Sequence, residues 1–415
     1  MGLLLDFVYV VACIVAAPWL LYRLCGPARR DLLLRFGIGI GDRLSRSVWL
    51  HGSSAGEVSV LKPLVAVLER DFPDVPLVIS AFTSTGLATA RKSFSRHRVV
   101  PLPFDLSFVI ARYLRHFDPR LLVVAESEFW PNLIGVAHTR RIPVALVNGK
   151  MSAKSFRVHV RTGLVPRVLR KLDLLAVQTE EHAQRMRALG VDARKLHITG
   201  NMKYDLAHPP IGADQTRELR RTLGYGAADV VIIGGSLHER EDEALLDAYA
   251  AACAVCREAA LIVVPRYPAD APTALERARA RGYSAALKTA VDLGSAPAPG
   301  VGGVLVVDTV GELGRLYASA DLAFVGGSLF FRGANKGGHN LMEPAILGVP
   351  VLFGPYNFSF KETVDDLLAA DAGRLVRDAG ELTTAVVALV TDRDARRDLG
   401  ERARRVVMAG QGATA

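Results

Sequence analysis

The feature that most constrains this chain is a repeat of form. Beyond residue 45, a short β-branched or aliphatic run, a turn with Gly, Ser or Asp, and a longer amphipathic stretch follow one another. That alternation predicts parallel sheets with helices packed on them. The runs predict strands at Val48–His51, Leu77–Ser80, Leu121–Ala125, Pro143–Val147, Leu174–Gln178 and Leu196–Thr199. Residues 205–214, with their prolines and lack of periodicity, read as a linker. The pattern then restarts with Val230–Ile233, Leu261–Val264, Val304–Val307, Leu322–Val325 and Val349–Phe353. Between strands, Glu57–Asp71 sets Val60, Leu61, Leu64 and Leu68 on one helical face, with Pro63 as an irregularity. A chain of 415 residues also exceeds what one core usually organises. The expected fold is therefore α/β, with two Rossmann-like doubly wound domains facing a cleft and ligands bound on loops at the carboxyl ends of strands.

The 51 Lys and Arg outnumber the 42 Asp and Glu, a formal charge of +9 that points to an anionic partner: nucleic acid, acidic lipid or a phosphorylated substrate. At 7% aromatic content a stacking platform for single strands is disfavoured. Four cysteines exclude a disulfide framework, and Cys253-Ala-Val-Cys256 falls inside the helix-like run Ala244–Ala260 without a second pair, so these read as small apolar residues. From Phe7 to Tyr22 there is no charge, and extension back to Gly2 adds only Asp6. This segment, with Trp19 and Pro18, suits either a spanning helix or an interfacial anchor. A cleaved leader is disfavoured by the lack of a basic start. Arg23, Arg29, Arg30 and Arg35 follow, which places the body of the protein on the cytoplasmic side. The domains are thus expected as 1–30 (anchor and basic flank), 31–210 and 211–415, with residues 410–415 a frayed end.

The strand-end loops hold the chemistry. His51-Gly-Ser-Ser-Ala-Gly-Glu57 feeds a helix whose first residue is an acid. Glu57 reads either as a complement to the helix dipole or as a general base, and His51 as a structural histidine. Glu126 and Glu128 follow a buried strand, and alternation directs both to the same side. No His or Asp completes a metal set with them, which favours electrostatic roles. Lys150, Lys154 and Lys203 at further strand ends suit an anionic substrate. Gly234-Gly-Ser236 and Gly326-Gly-Ser328 resemble phosphate-approaching turns but match neither a Walker loop nor G-x-G-x-x-G, and Gly37–Gly41 precedes its strand and reads as flexible linkage. Arg266 ends a strand, and an arginine fork suits phosphate. Glu343 reads either as an acceptor for ribose hydroxyls or as a capping partner of Asn340. Asp392-Arg-Asp394 heads a charged helix and reads as a cap instead of a metal pair.

Taken together, HGSSAGE at 51–57, ESEFWPNL at 126–133, TGNMKYD at 199–205, VPRYP at 264–268, VGELGRLYASADLAFVGGS at 310–328 and HNLMEP at 339–344 resemble the bacterial 3-deoxy-D-manno-octulosonic acid (Kdo) transferases over nearly the whole chain. These are membrane-associated GT-B glycosyltransferases of lipopolysaccharide assembly. The resemblance implies an inverting transfer of Kdo from CMP-Kdo to a lipid A precursor at the cytoplasmic face of the inner membrane, with no cofactor, no metal and no nucleic acid. It implies Glu57 as base and Glu126 and Lys203 as transition-state stabilisers. Pro265, Arg266, Val310, Gly311, Glu312, Asn340, Leu341, Met342 and Glu343 would hold the cytidine monophosphate. A UDP-sugar GT-B enzyme, a sugar-nucleotide epimerase and a non-catalytic membrane scaffold are the rival readings. Three departures stand out: Ser54-Ala55 at the first motif, Asn148-Gly149-Lys150 in place of an arginine-bearing pattern, and a longer run between Ser328 and His339.

Overall fold

The computed structural model describes residues 2–15, 17–18, 25–26, 29–206, 211–333 and 337–415. Trp19 and Arg23, residues 207–210 of the linker and 334–336 of the long loop lie outside the described residues. Two compact units result, 1–206 with 410–415, and 207–409.

The first unit is built on β1 (Ser47–His51), β2 (Leu77–Ala81), β3 (Arg98–Pro101), β4 (Pro119–Ala125), β5 (Val144–Gly149), β6 (Leu174–Val177) and β7 (Leu196–Ile198). They form one parallel sheet in the order β3-β2-β1-β4-β5-β6-β7. The order reverses between β1 and β4, where His51 stands opposite Val124. At such a switch point the two following loops diverge and leave room for a ligand at the carboxyl ends. The sheet is buried on both faces, so β1 and β2 read as unbroken buried runs. Of its helices, α1 (Gly2–Val15), α2 (Ala55–Asp71), α3 (Ser84–Ser93), α4 (Ser107–Phe117) and α5 (Pro131–Thr139) matter below. Helix α2 buries Val58, Val60, Leu61 and Val65 and continues through Pro63.

The second unit repeats the plan with β8 (Val230–Leu237), β9 (Ala259–Pro265), β10 (Ala285–Leu287), β11 (Val304–Val306), β12 (Leu322–Val325), β13 (Val351–Phe353) and β14 (Arg374–Leu375). The order is β10-β11-β9-β8-β12-β13-β14, again parallel, with its switch point between β8 and β12. Its helices include α6 (Glu241–Val255), α7 (Met342–Ile346), α8 (Ala379–Thr391) and α9 (Arg393–Gly410). The helix expected to run to Ala260 ends at Val255, because the chain must turn at Cys256 to enter β9 at Ala259. The α/β architecture with two parallel sheets is thus as expected.

At the N-terminus only part of the expected anchor is described, and at the C-terminus the packing differs from expectation. Helix α1 has 14 residues, a rise of about 21 Å against a hydrocarbon core of about 30 Å. Among the described residues no helix is long and apolar enough to cross a membrane. Asp6 ties α1 to the first unit: its Oδ1 accepts from Ser107 N at 2.8 Å and Asn132 Nδ2 at 3.0 Å. Phe7, Val10, Val11, Ile14 and Val15 remain exposed. The last six residues are not a frayed end of the second unit, since they pack with the first. There the Asp205 carboxylate accepts from Gly412 N at 2.7 Å and from Thr414 N at 2.8 Å and Oγ1 at 2.5 Å.

Candidate active site

In the first unit the loops after β1, β4, β5 and β7 converge. Ser54 caps α2, and the cap is reciprocal: Glu57 N donates to Ser54 Oγ at 3.4 Å, and Ser54 N donates to Glu57 Oε2 at 2.7 Å. Glu57 is therefore both a capping residue and a half-buried carboxylate at a strand end. Burial raises its proton affinity above the ordinary range, and neighbouring Glu128 raises it further, while the Ser54 hydrogen bonds pull it back and Glu126 adds a smaller push upward.

Glu126 and Glu128 do not share one side of a strand. Strand β4 ends at Ala125, and Glu126 takes a left-handed φ of 56°, which turns the chain and separates the two acids. Glu126, buried, pairs with Lys150 Nζ at 2.7 Å and accepts from Asn148 Nδ2 at 3.4 Å. Lys150 is thus engaged with an internal acid, a role its strand-end position did not reveal. Asn148, also left-handed at φ 52°, accepts from Met202 N at 2.9 Å through Oδ1, which brings the loop of Lys203 to Glu126. Backbone of this kind in non-glycine residues is strained and gathers at functional sites. Glu128 instead faces the β1 loop, where Oε2 accepts from Trp130 Nε1 at 2.6 Å, from His51 Nε2 at 3.3 Å and from Ser53 Oγ. Burial pushes Glu128 up, but these donors outweigh it and hold the carboxyl below its usual value. His51 is fully buried and structural, as its residue type suggested.

The second unit contains a cavity of about 690 Å³ at its own switch point, lined by Ser236, Arg266, Gly311, His339, Asn340 and Glu343 among others. Arg266 lies with its guanidinium 5.4 Å from the Tyr267 ring centroid. Asn340 Nδ2 donates to Glu343 Oε1 at 3.1 Å and both residues line the cavity, but the pair is not the capping box that the sequence offered: the residue before the helix is Leu341, with no side-chain cap. Gly311 has φ 94°, a backbone that glycine tolerates best. The remaining expected donor contacts divide. Leu341 and Met342 are fully buried and do not line the cavity. Glu312 is held by Lys288 Nζ at 3.2 Å and by the Thr309 hydroxyl. Val310 is 68% exposed. Pro265 lines a different cavity of about 410 Å³, shared with His238, Tyr267 and Arg332.

Two features escaped the sequence. The glycine turns are not open phosphate cradles. Glu241, 1% exposed, fills the one after β12, accepting from Gly327 N at 2.6 Å, Ser328 N and Leu329 N at 2.9 Å, and also His238 N at 2.9 Å. A Cβ on Gly235 would lie 2.0 Å from the Tyr317 hydroxyl, so this glycine serves packing. The positive end of α6 is met by this internal acid. Secondly, His238 and His339 stack at 5.2 Å with Nε2 atoms 2.9 Å apart. Burial depresses both, His238 to about 4 with help from Arg332 and Arg266, and His339 to about 3 with His238 as the next cause. A glutamate at the start of an acidic first turn, and histidines after two strands, were the only available signals. As for Asp392, its carboxylate caps the following helix at Ala395 N, 2.9 Å. Among the described residues no group of three His, Cys, Asp or Glu is placed to hold a metal.

A family model described as 3-deoxy-D-manno-octulosonic-acid transferase (kdotransferase) matches residues 30–206. The 3-deoxy-D-manno-octulosonic acid transferase of Bordetella pertussis is 32% identical over 412 residues, 95% of this chain and 90% of that protein. Its counterpart from Haemophilus influenzae is 30% identical over 383 residues, 89% of this chain and 84% of that protein. Among solved structures, the spinosyn rhamnosyltransferase SpnG with spinosyn aglycone aligns over 89% of this chain and 98% of its own, with a TM-score of 0.52 at 14% identity, a likeness of fold alone. With two relatives matched at this level almost end to end, the chain belongs to the 3-deoxy-D-manno-octulosonic acid transferases, a family of glycosyltransferases.

Proposed function

We propose that this glycosyltransferase moves Kdo from CMP-Kdo to a phosphorylated lipid A precursor, with inversion, at a membrane surface. The observation that carries the reading is Glu57: a carboxylate at a sheet switch point, held by Ser54 N and made more basic by burial and by Glu128. A base must take the proton of the acceptor hydroxyl as that oxygen attacks the anomeric carbon from the face opposite the departing CMP, and a raised proton affinity suits that step. Lys203 supplies positive charge for the carboxylate of Kdo and for the phosphate departing with CMP, and Glu126, paired with Lys150 and linked through Asn148 to the Met202 amide, fixes the loop that carries it. On the second unit, Arg266 takes the CMP phosphate, and Asn340, Glu343 and the Gly311 backbone line the same cavity, where they hold the nucleoside.

CMP leaves with one phosphate, so a guanidinium is sufficient counter-charge and the proposed step uses no metal. The membrane part of the reading is supported by the exposed apolar residues of α1 and by exposed Arg29 and Arg30 beyond it. In this reading α1, short and tied to the first unit through Asp6, lies along the interface. The test is transfer of labelled Kdo, from donor made in situ, to a lipid A precursor in chelated buffer. Wild-type enzyme should give product of inverted anomeric configuration. Glu57→Gln should lose about 10²- to 10⁴-fold in rate while retaining CMP binding. Full activity of that variant would remove Glu57 as the base.

A further inference from the structure

Glu128, which raises the proton affinity of Glu57, also collects three donors on one oxygen. Behind His51 lies a buried chain of polar contacts. Trp49 Nε1 donates to Ser80 Oγ at 2.8 Å, His51 Nδ1 lies 2.9 Å from Ser80 Oγ and 3.1 Å from the Ser80 carbonyl oxygen, and His51 Nε2–H donates to Glu128. Trp49, Ser80 and His51 are all fully buried, so the arrangement has little freedom to change. Glu128 ends this chain as an anion. On its other side it grips the Ser53 hydroxyl, and the Ser53 carbonyl accepts from Phe82 N at 3.1 Å and from Thr83 N at 2.9 Å and Oγ1 at 3.0 Å. The same peptide carries the Ser54 N–H, the donor to Glu57 Oε2.

We propose that Glu128 is a positioning residue for the transfer reaction: it pins the Ser53–Ser54 peptide that holds the Glu57 carboxylate and keeps a fixed negative charge beside it. The proposal rests on the reading of Glu57 as the base. A fixed anion makes ionisation of its neighbour harder, so Glu57 holds its proton more tightly and is the stronger base. The other charges around Glu57 do not substitute for it. Glu126 is compensated by Lys150 at 2.7 Å. Asp205, on the turn packed against α2, is occupied by Gly412 and Thr414. On α3, which also packs on α2, Arg91 and Lys92 sit in the last turn, with Arg91 bound to Asp31 at 2.6 Å.

The test uses the purified full chain with ¹³C-labelled glutamate carboxyls, the Glu57 signal being identified by its loss in Glu57→Gln. In Glu128→Gln the Glu57 titration midpoint should move down by about one pH unit. The acid limb of kcat/KM should move with it, kcat should fall, and KM for CMP-Kdo should stay constant. An unmoved midpoint overturns the proposal whatever the rates do. Ser53→Ala removes the tether but leaves the charge, and should lower kcat at least fivefold with the midpoint nearly in place. A kcat within twofold of wild type would overturn the positioning role, and this variant carries the test if Glu128→Gln does not fold. An undiminished rate in Glu57→Gln would instead refute the base reading, and the titration would still report on Glu128.

Discussion

Imidazole groups in this protein are set first by burial and then by the charges they touch. His238 and His339 show it most clearly, two rings at hydrogen-bond distance with Arg266 and Arg332 as positive neighbours. Burial and those cations keep the folded pair uncharged, whereas in the unfolded chain each ring takes up a proton near its ordinary value of about 6.5. Below that pH the unfolded state binds more protons, so folding stability falls as pH drops from about 6.5 toward 4. Replacing His339 by Asn should flatten this part of the curve. Urea midpoints of both proteins between pH 7 and pH 4.5 check it, and parallel curves would show that the pair is not responsible. At this scale the sequence was partly legible. Arg266 is visible as a cation at a strand end, and Glu57 as an acid opening a helix, where a cap and a base read alike. The roles of Lys150 and Glu128 are not visible, because their partners Glu126 and His51 come from other strands, and pairing across a sheet leaves no mark along the chain.

Among elements, the strands that escaped sequence reading are β3, β10 and β14, and each lies at the edge of its sheet. An edge strand pairs on one side only and can be short, here four, three and two residues, so it shows no sustained β-branched run. Central strands such as β8 and β9 must be apolar on both faces and are visible for that reason. The loop after β12 is held less by its glycines than by Glu241 on α6. Glu241→Gln would oppose an amide NH₂ to backbone N–H donors and leave donors unpaired, at a cost of about 3 kcal/mol. We expect a lower urea midpoint for this variant and weaker CMP binding, because His238 and the loop after β12 lose a common anchor. Calorimetric titration with CMP checks the second point, and wild-type affinity at wild-type stability would show that the clamp is dispensable.

On the scale of the whole molecule, the two units have separate sheets and separate switch points, yet the chain returns at its end to the unit in which it began. Asp205 and Thr414 are 209 positions apart in sequence and joined by hydrogen bonds. Asp205→Ala should cost the first unit about 1–2 kcal/mol and speed hydrogen exchange at the Gly412 and Thr414 amides while core amides of β1 and β4 keep their protection. Equal exchange in both proteins would mean that the tie carries no energy in solution. The tie also sets a timetable for synthesis. At a ribosome the first sheet can form as soon as β7 has emerged, but its last hydrogen bonds wait until some two hundred further residues have been translated and the second unit has threaded between. A nascent chain stalled anywhere in that interval presents an unlatched Asp205 turn, a stretch of surface that chaperones and proteases meet only in unfinished copies.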